Sequence, residues 1–387
     1  MNPKANVTMK ALLHSIATAT PAFAYPNRIL RDRLRGWVPD SALHPLVDRV
    51  YARSGIETRH SVLEDFHTGD GELFRTLPDG TAASPGTGER NRVYAREAGK
   101  LAVEAARAAL DKDGSFKPSD ITHVIFVSCT GFANPGPDYR VIRELGLRED
   151  VQRYTVGFMG CYAAFPALRM AAQFCEADPE AVALVICLEF CTLHMQSDAT
   201  PENIVANSLF ADGAAAALVS ARAPSEGRAH FRLESFRSAM IPSGEGDMAW
   251  EVGDHGFEMR LSAYVPGLIG SNIRGIVDGL LSAAGTEPSG VEAWAVHPGG
   301  RAILDELEKQ MGLGPDDLGV SRGVLRDFGN MSSPTVLFVL ARFLERPSRK
   351  ETTTCALAFG PGLTVESALL RLMPSRTECN LTAEAAR

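Results

Sequence analysis

A layered α/β protein is the fold class this sequence predicts, and three observations carry it. Short apolar runs of strand length alternate with alanine-rich segments of helical length. Residues with chemical potential recur just beyond an apolar run or at the entrance to a helix. The theme appears twice along 387 residues, once up to about residue 220 and again beyond it. Such alternation buries its apolar surface by packing helices on sheet faces. The length is ample for one large core or two fused lobes.

The elements follow in order. Residues 11–21 read as a first strand and a loop, because His14, Thr18 and Thr20 interrupt the apolar stretch after Lys4 and Lys10. Those interruptions count against a signal peptide. Residues 26–55 are mixed helical and basic, and 66–92, rich in Gly, Asp, Thr and Pro, read as surface loop. Residues 93–111 carry an alanine-dense helical pattern. Strands are expected over 121–127, 152–157, 182–187 and 214–219, and helices over 138–146, from Cys161 to about Cys175, and over 203–210. The Ala, Ser, Pro and Gly-rich stretch 220–228 divides the chain into 1–228 and 229–387. The second part offers a helix at 261–283, a strand at 291–296 and a helix at 300–311. A helical segment at 333–345 and strands at 355–359 and 364–372 complete it. The recurrence suggests an internal duplication of fold, although the two parts share no apparent sequence identity.

The formal net charge of -8 gives no nucleic-acid footprint. The seven cysteines (129, 161, 175, 187, 191, 355 and 379) are odd in number and sit mostly inside apolar runs. Their spacing fits neither a disulfide framework nor a zinc site, so a reducing, cytoplasmic setting is expected. No run is long and apolar enough to span a bilayer.

Cys161 is the most informative residue. It lies in Val156-Gly157-Phe158-Met159-Gly160-Cys161-Tyr162-Ala163-Ala164, where a strand gives way to a helix. Unpaired amides and the dipole at a helix start favour a thiolate. A cysteine nucleophile also needs a base or cationic partner and a place for oxyanion charge. His297-Pro298-Gly299-Gly300 and Gly329-Asn330-Met331-Ser332-Ser333 could supply both. Cys-His-Asn suits acyl transfer through a thioester. It also suits carbon–carbon condensation on an enolate formed by decarboxylation. The structural readings stand beside these: a core thiol, a turn-capping histidine and a Gly-Asn turn. The other cysteines are core thiols by default, and His194 is a pocket residue or a satisfied structural one. Phe359-Gly360-Pro361-Gly362 lacks the lysine and glycine spacing of a phosphate loop. Its glycines would let backbone approach a substrate.

Taken together, these segments resemble the type III polyketide synthases, the chalcone-synthase-like family, along nearly the whole chain. Gly157–Cys161 resembles the nucleophile segment, and Ser208-Leu209-Phe210-Ala211-Asp212-Gly213 the gatekeeper segment. The His297, Asn330 and Phe359 segments complete the set. The resemblance implies the layered αβαβα thiolase-like fold, built from two related halves and assembled as a homodimer. It implies that Cys161 takes an acyl group from a starter acyl-CoA. His297 and Asn330 would stabilise the enolate left when malonyl-CoA loses CO2. Phe210 would be the gatekeeper, and Arg49 and Arg53 would contact CoA, with Leu46 standing at a third position that is basic in relatives. CoA thioesters are substrates here, and no cofactor is implied. In the pocket, Cys129 stands for a threonine, His194 lies near another, Met259 stands for a phenylalanine, and Cys191, Ser332, Phe359, Gly360 and Pro361 complete the wall. Asn134 stands where plant members carry a methionine that crosses the dimer. These departures and the 190–196 segment look more like bacterial members, several of which take fatty acyl starters. An alkylpyrone or alkylresorcinol is the implied product.

Two rivals remain at this point. One is a single-condensation β-ketoacyl-acyl-carrier-protein synthase, which shares the fold and a Cys-His-Asn site. The other is a catalytically silent thiolase-fold binding subunit.

Overall fold

The computed structural model describes residues 10–375 apart from positions 39, 69, 79 and 347–349. Lys4 and Cys379 lie outside the described residues. The first elements are β1 (Leu12–Ala19), β2 (Phe23–Pro26), α1 (Asn27–Trp37), α2 (His44–Arg53), β3 (Thr58–Ser61), α3 (Asp65–Thr68) and α4 (Thr87–Asp113). Next come β4 (His123–Ser128), α5 (Pro137–Leu145), β5 (Gln152–Gly157), α6 (Ala164–Ala177), β6 (Val182–Phe190), α7 (Pro201–Leu209) and β7 (Asp212–Ser220). Then follow β8 (His230–Met240), β9 (Met248–Gly253), β10 (Gly256–Leu261), α8 (Val265–Ala283) and β11 (Ala293–Val296). The chain closes with α9 (Arg301–Met311), α10 (Gly319–Phe328), α11 (Thr335–Glu345), β12 (Thr352–Gly360) and β13 (Thr364–Met373).

Nine strands join in the order β11-β12-β13-β8-β1-β7-β6-β4-β5. The joint between β1 and β8 consists of two residue pairs, Leu12 with Arg232 and Leu13 with Phe231. The strands therefore act as two sheets hinged at β1. The pairing pattern repeats across the hinge. β4–β6 is parallel, with β6–β7 and β7–β1 antiparallel. β11–β12 is parallel, with β12–β13 and β13–β8 antiparallel.

Helices complete five layers. The alanine-rich α4 lies on β1, β6 and β7. Its small residues Ala98, Ala102, Ala105 and Ala109 are fully buried, so the helix approaches the sheet closely. Between the sheets lie α6 and α11: α6 touches β4, β6 and β7 on one side and β8 and β13 on the other. α8 covers β8 and β13 from outside. All nine residues of β6 are buried. Ile186 faces the α4 core and its neighbour Val185 the central one, as the two-residue period of a strand requires. The layer order is αβαβα.

Several elements differ from the sequence reading. The helix expected at 203–210 stops at Leu209, so Phe210 stands outside it in an extended conformation. The helix expected from 261 starts at Val265, because Gly256–Leu261 is a strand paired with Met248–Gly253. That hairpin has a polar, exposed edge with Glu251, Glu258 and Arg260, so it lacks clean alternation. β8 and α10 also escaped the sequence reading. The loop expected at 66–92 holds α3 and the first turn of α4.

Candidate active site

Three chain segments converge on one cavity of about 370 Å³. β5 ends at Gly157, and a tight 3-10 turn, Gly160–Tyr162, carries Cys161 before α6 begins. Two glycines make that turn possible. Gly160 has φ +78°, and a Cβ there would lie 2.5 Å from Cδ of Pro361. A Cβ on Gly360 would lie 2.5 Å from the Tyr162 ring and 3.4 Å from the Cys161 nitrogen. The Gly-Pro-Gly loop after β12 therefore seats directly on the turn that carries Cys161.

His297 follows β11, held by its amide to the Leu357 carbonyl at 2.8 Å. The ring is buried, and neither nitrogen has a hydrogen-bond partner among the described residues. Asn330 is gripped on both sides by the end of α7. Its amide donates to the Leu209 carbonyl at 2.9 Å, and its carbonyl accepts from the Ala211 amide at 2.9 Å. The Asn330 side-chain Nδ2 donates to the Gly299 carbonyl at 3.1 Å, and Oδ1 accepts from the Ser332 amide at 2.8 Å. The second Nδ2 proton is directed at the Cys161 sulfur, where it can also meet a ligand oxygen.

Cys161, His297 and Asn330 all line the cavity, as do Phe210, Cys129, Cys191, His194, Met259, Ser332, Phe359 and Pro361. Gly360 does not. It sits one residue behind the wall against Tyr162, where its close approach makes room for the turn that carries Cys161. Arg49 and Arg53 are exposed on α2 and are not part of the cavity wall. Their helix packs on α7, where the Tyr51 hydroxyl donates to the Asn207 carbonyl at 3.0 Å. Leu46 is half-buried against the α4-side core. Among the described residues, Glu202, exposed at the start of α7, is the one carboxylate in the wall, beside the thiol of Cys161, the imidazole of His297 and the carboxamide of Asn330.

Burial dominates the electrostatics. It pushes the Cys161 thiol up to about 11, opposed by the Ser332 hydroxyl and the Asn330 amide beside the sulfur. It drives the His297 imidazole down to about 3. The thiolate expected from the helix start is thus not favoured by the fold alone. α6 begins at Ala164, past the 3-10 turn, and desolvation outweighs the dipole. Each ion is costly by itself. A thiolate beside an imidazolium offsets that cost through mutual attraction.

His194 proves to be both pocket wall and structural residue. Its Nε2 bonds the Thr130 carbonyl at 2.8 Å and its Nδ1 accepts from the Phe257 amide at 3.0 Å. It stacks on Phe257 with ring centroids 4.1 Å apart. Both nitrogens are occupied, and burial lowers its pKa to about 3. Cys129 and Cys191, core thiols by default, are cavity residues, whereas Cys175, Cys187 and Cys355 are buried outside it.

Trp250 and Glu189 are among the residues at the site that the sequence reading did not name. Trp250 lines the cavity and its Nε1 donates to the Cys129 carbonyl at 2.8 Å. Glu189 is fully buried beneath the wall. It accepts from the Cys129 amide at 2.9 Å, the Thr130 hydroxyl at 2.7 Å and the Ser333 hydroxyl at 2.6 Å. Burial raises its pKa, and those donors pull it back. A lone acid inside the apolar run 182–190 was the available signal.

Residues 4–223 match the family described as chalcone and stilbene synthases, N-terminal domain, and residues 232–374 match the C-terminal domain of the same family. An alpha-pyrone synthesis polyketide synthase-like protein of Mycobacterium tuberculosis is 31% identical over 377 residues, 96% of this chain and 93% of that protein. A probable polyketide synthase of Dictyostelium discoideum is 32% identical over 362 residues; this chain spans 92% of itself and 11% of that longer protein. Among solved structures, a polyketide synthase of the brown alga Ectocarpus siliculosus superposes with a TM-score of 0.88 at 29% identity, covering 96% of this chain and 100% of that one. The 1,3,6,8-tetrahydroxynaphthalene synthase of Streptomyces coelicolor gives 0.83 at 31% identity, covering 94% and 99%. The five-layered architecture is the thiolase-like fold these proteins share. With both family domains matched in order, the chain belongs to the chalcone and stilbene synthase-like family of type III polyketide synthases, acyltransferases that condense CoA thioesters with malonyl-CoA by decarboxylative Claisen chemistry.

Proposed function

We propose that this enzyme extends a fatty acyl-CoA starter with malonyl-CoA and cyclises the product to an alkylpyrone or alkylresorcinol. Cys161 carries the growing acyl chain as a thioester. His297 and the second Nδ2 proton of Asn330 donate to the malonyl thioester oxygen as CO2 leaves and enolate charge develops there. The enolate carbon then attacks the Cys161 thioester carbonyl and the thiolate departs. Phe210 divides the CoA entrance from the interior, and Arg49 and Arg53 meet the CoA phosphates at the mouth. Residues 1–228 and 229–387 are the two related halves, and the enzyme works as a cytoplasmic homodimer.

One observation carries this reading: Cys161, His297, Asn330 and Phe210 share a single, largely apolar cavity. An apolar wall with few convergent donors suits an alkyl chain. The mycobacterial relative named for alpha-pyrone synthesis supports the pyrone branch. Among the described residues no helix is long and apolar enough to cross a membrane.

The test is incubation of the purified enzyme with malonyl-CoA and acyl-CoAs of graded length, with products identified by mass spectrometry. Cyclic tri- or tetraketides from long-chain starters are expected. Products only from short or aromatic starters would overturn the fatty acyl assignment.

A further inference from the structure

Arg59, on β3, is fully buried. Its Nη1 donates to two carbonyls, Asn207 at 2.6 Å and Phe210 at 2.8 Å, and its Nε donates to Oδ1 of Asn27 at 3.1 Å. A buried guanidinium needs a reason, since desolvation lowers its pKa and its Nη2 has no hydrogen-bond partner among the described residues. The reason lies in what it holds. Asn207 and Phe210 bracket the end of α7, where a helix leaves carbonyls without intrahelical partners. Arg59 takes the carbonyls of Asn207 and Phe210. Between them, the Leu209 carbonyl accepts the Asn330 amide, and the next amide, Ala211, donates back to the Asn330 carbonyl.

The contact is also steric. Gly329 has φ +72°, and a Cβ there would lie 2.9 Å from Cγ of Arg59. The arginine stem therefore lies against the backbone just before Asn330. Behind it, Tyr51 bonds the same Asn207 carbonyl, and the guanidinium sits 5.6 Å from the Tyr51 ring centroid.

We propose that Arg59 is a positioning residue for the condensation. It locks the α7–β7 junction, so that Phe210 stays at the gate and the Asn330 carboxamide stays aimed into the cavity. Arg59 touches no substrate. Its loss leaves the Phe210 carbonyl without its donor and the Asn207 carbonyl with Tyr51 alone, and lets the 209–211 segment shift. A displacement near 1 Å at a catalytic group costs on the order of a hundredfold in rate. Cys161 hangs from a different turn, so starter loading is spared. This inference rests on the role given to Asn330 above.

The experiment compares two half-reactions: acyl loading of Cys161 by intact mass, and release of acetyl-CoA from malonyl-CoA. Arg59→Met is expected to lower the ratio of decarboxylation to loading at least about fivefold, with Arg59→Lys recovering part of it. A loss of fold alone would lower both rates together. Tyr51→Phe, which keeps Arg59 and removes one bond to Asn207, serves if the arginine variants are unstable. It is expected to lower the same ratio by about twofold. An unchanged ratio in these variants overturns the proposal. Asn330→Ala runs alongside. If it keeps the wild-type ratio, the role assigned to Asn330 has failed. If it lowers the ratio and Arg59→Met does not, the positioning role alone has failed.

Discussion

The indole Nε1 of Trp250 donates to the carbonyl of Cys129 across 2.8 Å, fastening the β9–β10 hairpin to the end of β4. The hairpin thereby becomes a cavity wall, with Trp250 edge-on to His194 at 5.6 Å and to Phe257 at 5.8 Å. Under the proposed function, this wall bounds the acyl chain beside Cys161. Trp250→Ala should enlarge that room and move the preferred starter toward longer chains or more malonyl additions. Stability should fall by about 2 kcal/mol, below a fully buried Trp because the residue is half-exposed. Product profiling and urea unfolding check the two parts separately. An unchanged length preference would mean that Trp250 does not bound the acyl space.

Gly160 presents a second test. Its φ of +78° and the nearby Pro361 leave no place for a side chain. Gly160→Ala should cost about 1 kcal/mol in backbone strain and more in displaced loop. The larger effect should be on acyl loading, which should drop by roughly tenfold or more as the nucleophile turn shifts. Single-turnover loading with intact-mass detection measures it. Loading at the wild-type rate would show that the turn tolerates the methyl.

Thiol reactivity tests the pairing of Cys161 with His297. Burial raises the thiol, and an imidazolium beside it favours the thiolate. Inactivation by iodoacetamide should therefore rise at lower pH in the wild type than in His297→Gln, where the thiol titrates without a partner. Superimposed pH profiles would exclude an ion pair between the two.

His194 gives a stability test with a definite sign. Its pKa is about 3 in the fold against 6.5 in an unfolded chain. Between those values the unfolded state binds the extra proton, so stability falls as pH drops from 6.5 toward 3. For this one residue the slope is at most about 1.4 kcal/mol per pH unit. Asp212, raised by burial to about 7, works the other way, favouring the fold as pH falls. It is common to both proteins compared. His194→Gln should show a shallower loss of stability than wild type between about pH 4 and 6. Equal slopes would place the proton uptake elsewhere.

Much of the fold was legible because most strands and helices are buried on predictable faces. The run 182–187 is apolar throughout because helices cover both faces of β6, and the alanines of 93–111 announced a helix packed close on a sheet. The β9–β10 hairpin was not legible. Its two strands pair mainly with each other and carry exposed polar residues, so no periodic signal marks them. Trp250 went unread for the same reason. Gly360 was misplaced because sequence shows that a glycine permits close approach but not what approaches.

The sequence by itself determined the chemistry available: one thiol at a strand-to-helix turn, one histidine before two glycines, and one Gly-Asn turn, all within motifs of a single family. Tertiary structure decided what those groups become. It brought them around one cavity from two strand ends and the turn after α10, made His194 a fixed structural ring, and turned Cys129 and Cys191 toward the interior space. It also buried Arg59 against the carbonyls of Asn207 and Phe210 at the end of α7. The physical reason is desolvation: ionisation and hydrogen-bond partners depend on how much water a group has lost and on which distant segments face it, and neither is written in local sequence.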